Sequence, residues 1–289
     1  MESKIGVVFG GGGGKGAYQI GVWKALNEFG LCGLIKGVSG ASAGALNGAM
    51  FCAGDLDMAV SAWRGISERA ILTRDICQNY RGGVIRDGWF SNRGLKEMIK
   101  RYADLTAVRN SKTVFYAAAS RVREPAIFYN YLKKYSSEKN ILHKAISAFF
   151  ITKLSLVTTA RYFKVNGYDE RTIEDIILAS SAIPLVFPDI TIEGSVYVDG
   201  GLKDNVPVLP LYNDGFRRIL VANLDAGYRI PAAKFPGAEF FELTLNEGDR
   251  LRTMAGTFDF TAKHAEARME RGYNDCLAAA ESVLEFFKM

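Results

Sequence analysis

The sequence predicts an α/β fold with a parallel central sheet. Within the first fifty residues, an apolar run at 4–9 precedes a helical pattern, and a second apolar run at 35–39 precedes a helix at 43–53. Two strands that each lead into a helix are typical of parallel strands joined by right-handed crossovers. No internal repeat, linker or break in composition divides the 289 residues, so we expect one domain over 1–289.

The first helix is predicted from apolar residues that recur on one helical face, and Gly30 ends it. These residues are Tyr18, Val22, Ala25, Leu26 and Phe29. Further along the chain, helical spacing predicts helices at 91–102, 170–179 and 259–287. Apolar runs predict strands at 113–119, 126–131 and 219–224.

The connection between the first strand and the first helix is rich in glycine. Its residues are Gly11, Gly12, Gly13, Gly14, Lys15 and Gly16. Glycines leave the backbone N–H groups uncovered by side chains, and the N-terminus of a helix favours negative charge. The loop is therefore predicted to cradle an anion.

Three kinds of anion site compete for this loop. A P-loop needs a glycine where this chain has Phe9, and it needs a serine or threonine after the lysine, where this chain has Gly16. A dinucleotide fingerprint fits Gly11, Gly13 and Gly16, but the second strand ends at 38–40 without the acidic residue that holds a ribose. The third candidate is an oxyanion hole.

The second glycine motif favours the oxyanion hole. Gly40-Ala41-Ser42-Ala43-Gly44 has the GxSxG pattern at a strand-to-helix junction. A sharp turn there lifts the serine hydroxyl clear of the backbone, and the glycines on both sides relieve the strain. Ser42 is therefore the predicted nucleophile.

The third motif supplies a carboxylate. Asp199 follows a short apolar strand and is followed by Gly200 and Gly201, which allow a close approach to another loop. The chain has two histidines, His143 and His264, and a triad of Ser42, Asp199 and His264 would match the chain order of α/β-hydrolases. Those enzymes have several strands before the nucleophile, whereas this chain has one before the strand that carries it. The simpler prediction is a Ser–Asp dyad.

These motifs together resemble the patatin-like phospholipases, and they bracket roughly residues 4–210. Two further stretches fit the family pattern, Ala179-Ser180-Ser181-Ala182-Ile183-Pro184 and Asp204-Asn205-Val206-Pro207. The resemblance implies a three-layer α/β/α sandwich with a mostly parallel sheet, and a lipid acyl hydrolase that needs no metal or other cofactor. It implies that Ser42 is the nucleophile, that Asp199 is the base and that 11–14 form the oxyanion hole, while Lys15 fills the family's usual Lys/Arg position.

The charge distribution points to a local anionic partner. Residues 133–164 hold seven Lys/Arg and one acid, a net +6 in a chain whose total is +5. A nucleic-acid-binding protein would spread its basic residues more widely, so no nucleic-acid partner is expected. Within this stretch, 139–153 has Leu142, Ile146, Phe149 and Phe150 on one helical face. We expect either a helix that packs on the core or a lid that meets anionic lipid.

The lengths of the apolar runs and the spacing of the cysteines indicate the cellular compartment of the protein. No apolar run approaches the length of a membrane span, and the apolar start of the chain is too short for a signal-peptide core. The cysteines make no metal-binding spacing and are expected to be free thiols; they are Cys32, Cys52, Cys77 and Cys276. We therefore expect a cytoplasmic protein that contacts membranes peripherally. Two other hypotheses remain, a nucleotide-binding module and a non-catalytic interaction protein of the same fold.

Overall fold

The computed structural model describes residues 4–73, 88–136, 148–246 and 254–288, and its central feature is an eight-stranded sheet. The strands are β1 (Ile5–Phe9), β2 (Ile35–Ala41), β3 (Val114–Val122), β4 (Thr158–Lys164), β5 (Ile190–Ile192), β6 (Ser195–Asp199), β7 (Arg218–Asn223) and β8 (Glu239–Thr244). Five of them form a parallel block in the order β3-β2-β1-β7-β8, and β4, β6 and β5 continue it with antiparallel pairings.

Helices flank the sheet on its two faces. They are α1 (Ala17–Glu28), α2 (Ala43–Ala53), α3 (Leu56–Arg64), α4 (Glu68–Ile71), α5 (Arg93–Tyr102), α6 (Leu105–Asn110), α7 (Pro125–Ser136), α8 (Ala148–Leu156), α9 (Glu170–Ser180), α10 (Leu209–Asn213), α11 (Met254–Thr257), α12 (Ala262–Ala278) and α13 (Ala280–Phe287). In these described parts, no helix has the length and hydropathy needed to cross a membrane.

The central strands are buried on both faces, as parallel sheets require. Along β7, Leu220 faces a large core shared with α1, α2 and α12, whereas Ile219 and Val221 face a smaller core. Leu211 of α10 and Phe216 belong to that smaller core. The predicted three-layer sandwich is confirmed, with one thick helical layer and one thin one.

Strand β3 pairs with β2 and then with β6 along one edge, and with β4 along the other edge. Ala119 pairs with Arg161 of β4 and with Asp199 of β6, so β4 and β6 lie on opposite edges. Ala118 pairs with Ala41 of β2 on the edge that β6 occupies one residue later. Because β2 is parallel to β3 and β6 is antiparallel to it, the carboxyl ends of β2 and β6 meet.

Two predicted elements differ from the structure. The strand predicted at 126–131 is the middle of α7, because Phe128 and Leu132 are buried at helical spacing after Pro125 starts the helix. The single helix predicted at 259–287 is divided at Ala279 into α12 and α13. Of the stretch 139–153, residues up to 147 lie outside the described residues, and α8 forms the remainder.

Candidate active site

Ser42 occupies the sharp turn between β2 and α2. Its φ of 53° and ψ of −124° are rare for a residue with a side chain, as expected for a strained nucleophile turn. The flanking glycines are required by space: a Cβ on Gly40 would lie 2.2 Å from the Gly44 carbonyl oxygen, and one on Gly44 would lie 2.0 Å from that of Phe9. The turn therefore needs glycine on both sides, as the motif predicted.

The end of α9 pins this turn. The Ser42 backbone N–H donates to Ser180 Oγ at 2.9 Å, and that hydroxyl donates to the Ala118 carbonyl at 2.6 Å. Two residues later, the Ala182 carbonyl accepts from the Asp199 backbone N–H at 2.9 Å. One short segment thus positions both predicted dyad residues.

Asp199 ends β6 with its carboxyl buried. Its Oδ1 accepts from the Gly201 N–H at 2.7 Å, which makes the following glycine turn part of the site. Its Oδ2 is buried and accepts no hydrogen bond from the residues that the structure describes. A buried carboxylate oxygen without a donor is costly, and such an atom in a cleft marks a candidate proton acceptor.

The electrostatic environment of Asp199 makes it a stronger base than an ordinary carboxylate. Burial raises its pKa to about 6, and this outweighs the Ser42 hydroxyl and the Gly201 N–H, which both act to lower it. Ser42 is therefore a close neighbour of the carboxyl, although no hydrogen bond of good geometry joins them among the described residues. Catalytic hydrogen bonds are often long or misaligned before substrate binds.

The glycine loop lies against the serine turn. A Cβ on Gly11 would lie 3.3 Å from Ser42 Cβ. The Gly11 N–H donates to the Asn205 backbone oxygen at 2.9 Å, and Asn205 Nδ2 donates to the Gly11 oxygen at 3.1 Å. The amides of Gly12, Gly13 and Gly14 donate to no group within the described ranges. Of the four glycines predicted to form the oxyanion hole, Gly11 therefore has an amide that already donates within the fold.

Backbone from the C-terminal part of the chain covers the outer side of the glycine loop. A Cβ on Gly13, whose φ is +55°, would lie 2.0 Å from the Thr257 carbonyl oxygen, and one on Gly14 would lie 2.1 Å from that of Asp259. Lys15 is buried. The loop is thus held between the serine turn and a segment outside the motifs identified in the sequence.

A buried polar network holds both ends of the same loop. Gln19 Nε2 donates to the Gly10 carbonyl at 2.7 Å, and Asn47 Nδ2 donates to the Gly16 carbonyl at 2.9 Å. Asn47 also donates to Gln19 Oε1 and accepts from Trp63 Nε1. These three side chains had no signal in the sequence, because nothing local identifies a polar residue as a partner of a distant backbone.

His264 does not complete a triad. His264 is 43% exposed, and its Nδ1 lies 2.5 Å from Asp259 Oδ2 rather than beside Asp199. His143 lies outside the described residues. In the described ranges, no three His, Cys, Asp or Glu side chains are arranged to hold a metal ion.

The residues that sequence reasoning missed are positioning residues. Ser180 and Ala182 lie in one of the two further stretches that fit the family pattern, and Asn205 lies in the other. The sequence predicted no role for these three residues. Their roles follow from long-range hydrogen bonds, which no sequence pattern encodes. By contrast, Ser42 and Asp199 lie where the motifs predicted, at adjoining strand ends.

Comparison with known proteins adds family and fold. A sequence model of the patatin-like phospholipases matches residues 7–212. Two curated relatives, both named Lysophospholipase NTE1 and from Cryptococcus neoformans var. neoformans serotype D (strains JEC21 and B-3501A), are 26% identical over 227 residues. The match covers 76% of this chain and 11% of each relative. The structure of VipD from Legionella pneumophila aligns with a TM-score of 0.53 at 14% identity, over 98% of this chain and 67% of that one, which shows a shared fold.

Proposed function

This chain belongs to the patatin-like phospholipase family, and we propose that it hydrolyses fatty-acyl esters of phospholipids or lysophospholipids. In this proposal Ser42 is the nucleophile and Asp199 is the general base. The observation that carries it is the meeting of a strained serine with a buried carboxyl whose pKa burial raises to about 6. The related lysophospholipases support the substrate class.

The proposed reaction has two steps. In the first, Ser42 Oγ attacks the acyl carbon while Asp199 Oδ2 takes its proton, and the alcohol of the lipid leaves with that proton. In the second, water attacks the acyl-enzyme, Asp199 takes a proton from the water, and Ser42 recovers it as the fatty acid departs. No other side chain has to transfer a proton.

The balance of energies places most of the catalysis in the oxyanion donors. Because the pKa of Asp199 rises from the usual 3.8 to about 6, proton transfer to it is roughly 3 kcal/mol easier. A serine hydroxyl is nevertheless a far weaker acid, so proton transfer must accompany bond formation. Each oxyanion donor contributes about 3–4 kcal/mol to acyl transfer. We assign these donors to amides of Gly12, Gly13 and Gly14, supported by the N-terminus of α2.

A lipid substrate implies a lipid-water interface, so peripheral contact with an anionic membrane surface belongs to the same proposal. The net charge of +5 supports it. No nucleic-acid partner is part of the proposal.

The test is active-site labelling with a fluorophosphonate, followed by mass spectrometry of the digested protein. We expect one adduct on Ser42 and loss of esterase turnover in Ser42→Ala and Asp199→Asn. Ser39→Ala is the matched control, because Ser39 lies three residues earlier with a buried hydroxyl that has no hydrogen-bond partner among the described residues. An adduct elsewhere would contradict the assignment. Nucleotide binding without turnover would favour the nucleotide-binding alternative. The absence of both nucleotide binding and turnover would favour a non-catalytic protein.

A further inference from the structure

We propose that the protein docks on anionic lipid bilayers through a basic rim centred on Leu156. The rim consists of Leu156, Ile127, Arg123, Lys153 and Lys203. This inference rests on the proposed function and deepens it, because it names the surface that would deliver lipid to Ser42.

The first observation is the exposure of two apolar side chains on helices that contact each other, α7 and α8. Leu156, the last residue of α8, is 68% exposed, and Ile127 of α7 is 41% exposed. Leu156 has the highest exposure among the large apolar side chains of the described residues. Leucine is among the residues with which helices enter the interfacial region of a bilayer, next to basic residues.

The second observation is that cationic residues bracket this leucine. On one side, Lys203 Nζ donates to the carbonyl and the hydroxyl oxygens of Ser155, both at 3.2 Å. On the other side, the Arg123 backbone N–H donates to the Val157 carbonyl at 2.9 Å, and the Arg123 side chain is exposed. Lys153 lies three residues before Leu156, on the same face of α8.

The third observation is the position of the rim relative to the candidate active site. Lys203 belongs to the turn that begins with Asp199 and Gly200, so its contact with Ser155 ties α8 to the proposed base. β3 runs parallel to β2 and extends to Val122, beyond the level where Asp199 pairs with it. Arg123 and α7 follow that end of β3. The rim therefore lies beyond the carboxyl end of β3, the direction in which β2, the strand before Ser42, also runs.

Charge decides the kind of partner. Residues 125–136 and 148–164 contain no acidic residue. Among the described residues, the carboxylates near these helices include Glu124, which is exposed, and two that accept hydrogen bonds from tyrosines. Asp189 Oδ2 accepts from Tyr129 Oη at 2.9 Å, and Asp204 accepts from Tyr162 Oη at 2.6 Å. A cationic surface with an apolar centre matches an anionic bilayer, where each basic residue near the surface strengthens binding.

The experiment measures co-sedimentation of the Ser42→Ala protein with vesicles of phosphatidylcholine, with and without phosphatidylglycerol. We expect binding to the anionic vesicles that weakens as salt rises. Leu156→Asp should weaken it by about tenfold or more, and Lys153→Gln and Arg123→Gln by about fivefold each. Leu284→Asp is the matched control: Leu284 is 40% exposed on α13, whose end contacts Arg218 at the opposite end of the parallel strands.

Three results would overturn the proposal. They are equal binding to neutral and anionic vesicles, unchanged binding of Leu156→Asp, and an equal loss in Leu284→Asp. Binding to polyglutamate but not to vesicles would also overturn it, in favour of an acidic protein partner. A thermal melt of each variant identifies loss of folding, and Leu156→Ser is a milder second variant with the same expected direction.

The vesicle assay needs no turnover, so it is independent of the proposed function. In the protein that retains Ser42, Leu156→Asp should hydrolyse a soluble short-chain ester at the wild-type rate. If vesicle binding persists while no ester is hydrolysed, the proposed function fails and the docking surface stands.

Discussion

Ser42 and Asp199 lie beside each other because β2 and β6 approach end to end along one edge of β3. Ala118 is opposite Ala41, the last residue of β2, and Ala119 is opposite Asp199, the last residue of β6. Pairing with β3 therefore fixes the positions of both strand ends. This arrangement explains how positions 157 residues apart come together, and the end of α9 hydrogen-bonds to both of them.

The buried carboxyl predicts the pH dependence of hydrolysis. A base with a pKa of about 6 is protonated and inactive below that pH, so kcat/KM should rise with pH and level off above it. The measurement is kcat/KM on a soluble ester from about pH 4 to about pH 8. A profile that is already level above about pH 5, as a carboxyl with the usual pKa of 3.8 would give, would show that burial does not tune this group.

The same carboxyl predicts how stability depends on pH. Because the pKa of Asp199 is higher in the folded protein, the folded state holds more protons than the unfolded state between about pH 4 and pH 6. The free energy of unfolding should fall as pH rises through this window, by about 3 kcal/mol from this group, and stay level above it.

Asp199→Asn removes that dependence, which denaturant melts at several pH values can check. The variant should gain stability relative to wild type as pH rises from about 4 to about 6. Asp57→Asn, at an exposed position on α3, is the control for the loss of one negative charge. A constant difference between Asp199→Asn and wild type across the window would contradict the prediction.

Ser180 is predicted to position the nucleophile. Ser180→Ala removes the acceptor of the Ser42 N–H and leaves that buried amide without a partner. We expect kcat to fall by about ten- to a hundredfold with little change in KM, since a small misplacement of a reacting group costs that much. The neighbouring Ser181→Ala, whose hydroxyl makes no hydrogen bond in the described parts of the chain, should be close to wild type. Equal losses in both variants would indicate general destabilisation.

His264 is predicted to be dispensable. His264→Ala should keep most of the esterase activity, because this ring pairs with Asp259 and not with Asp199. The check is kcat/KM beside that of Asp199→Asn, for which we expect a loss of about four orders of magnitude. A loss of that size in His264→Ala would restore a triad.

The sequence by itself determined the local parts of this site. Gly40 and Gly44 predict a turn in which no larger residue fits at their positions. The apolar spacing around this turn is sufficient to predict β1, α1, β2 and α2. Where local signals were weak they misled: 126–131 reads as a strand, although Phe128 and Leu132 pack against the core at the spacing of a helix.

Only the tertiary structure decided what depends on distant contacts. From composition, Asp199 is an ordinary carboxylic acid and a weak base, whereas burial raises its pKa to about 6. Gly11 looks equivalent to Gly12 and Gly13 in sequence, but a bond to Asn205, 194 positions away, engages its amide. Spacing along a chain encodes turns and faces, while desolvation and hydrogen-bond partners depend on which remote segments the fold brings together.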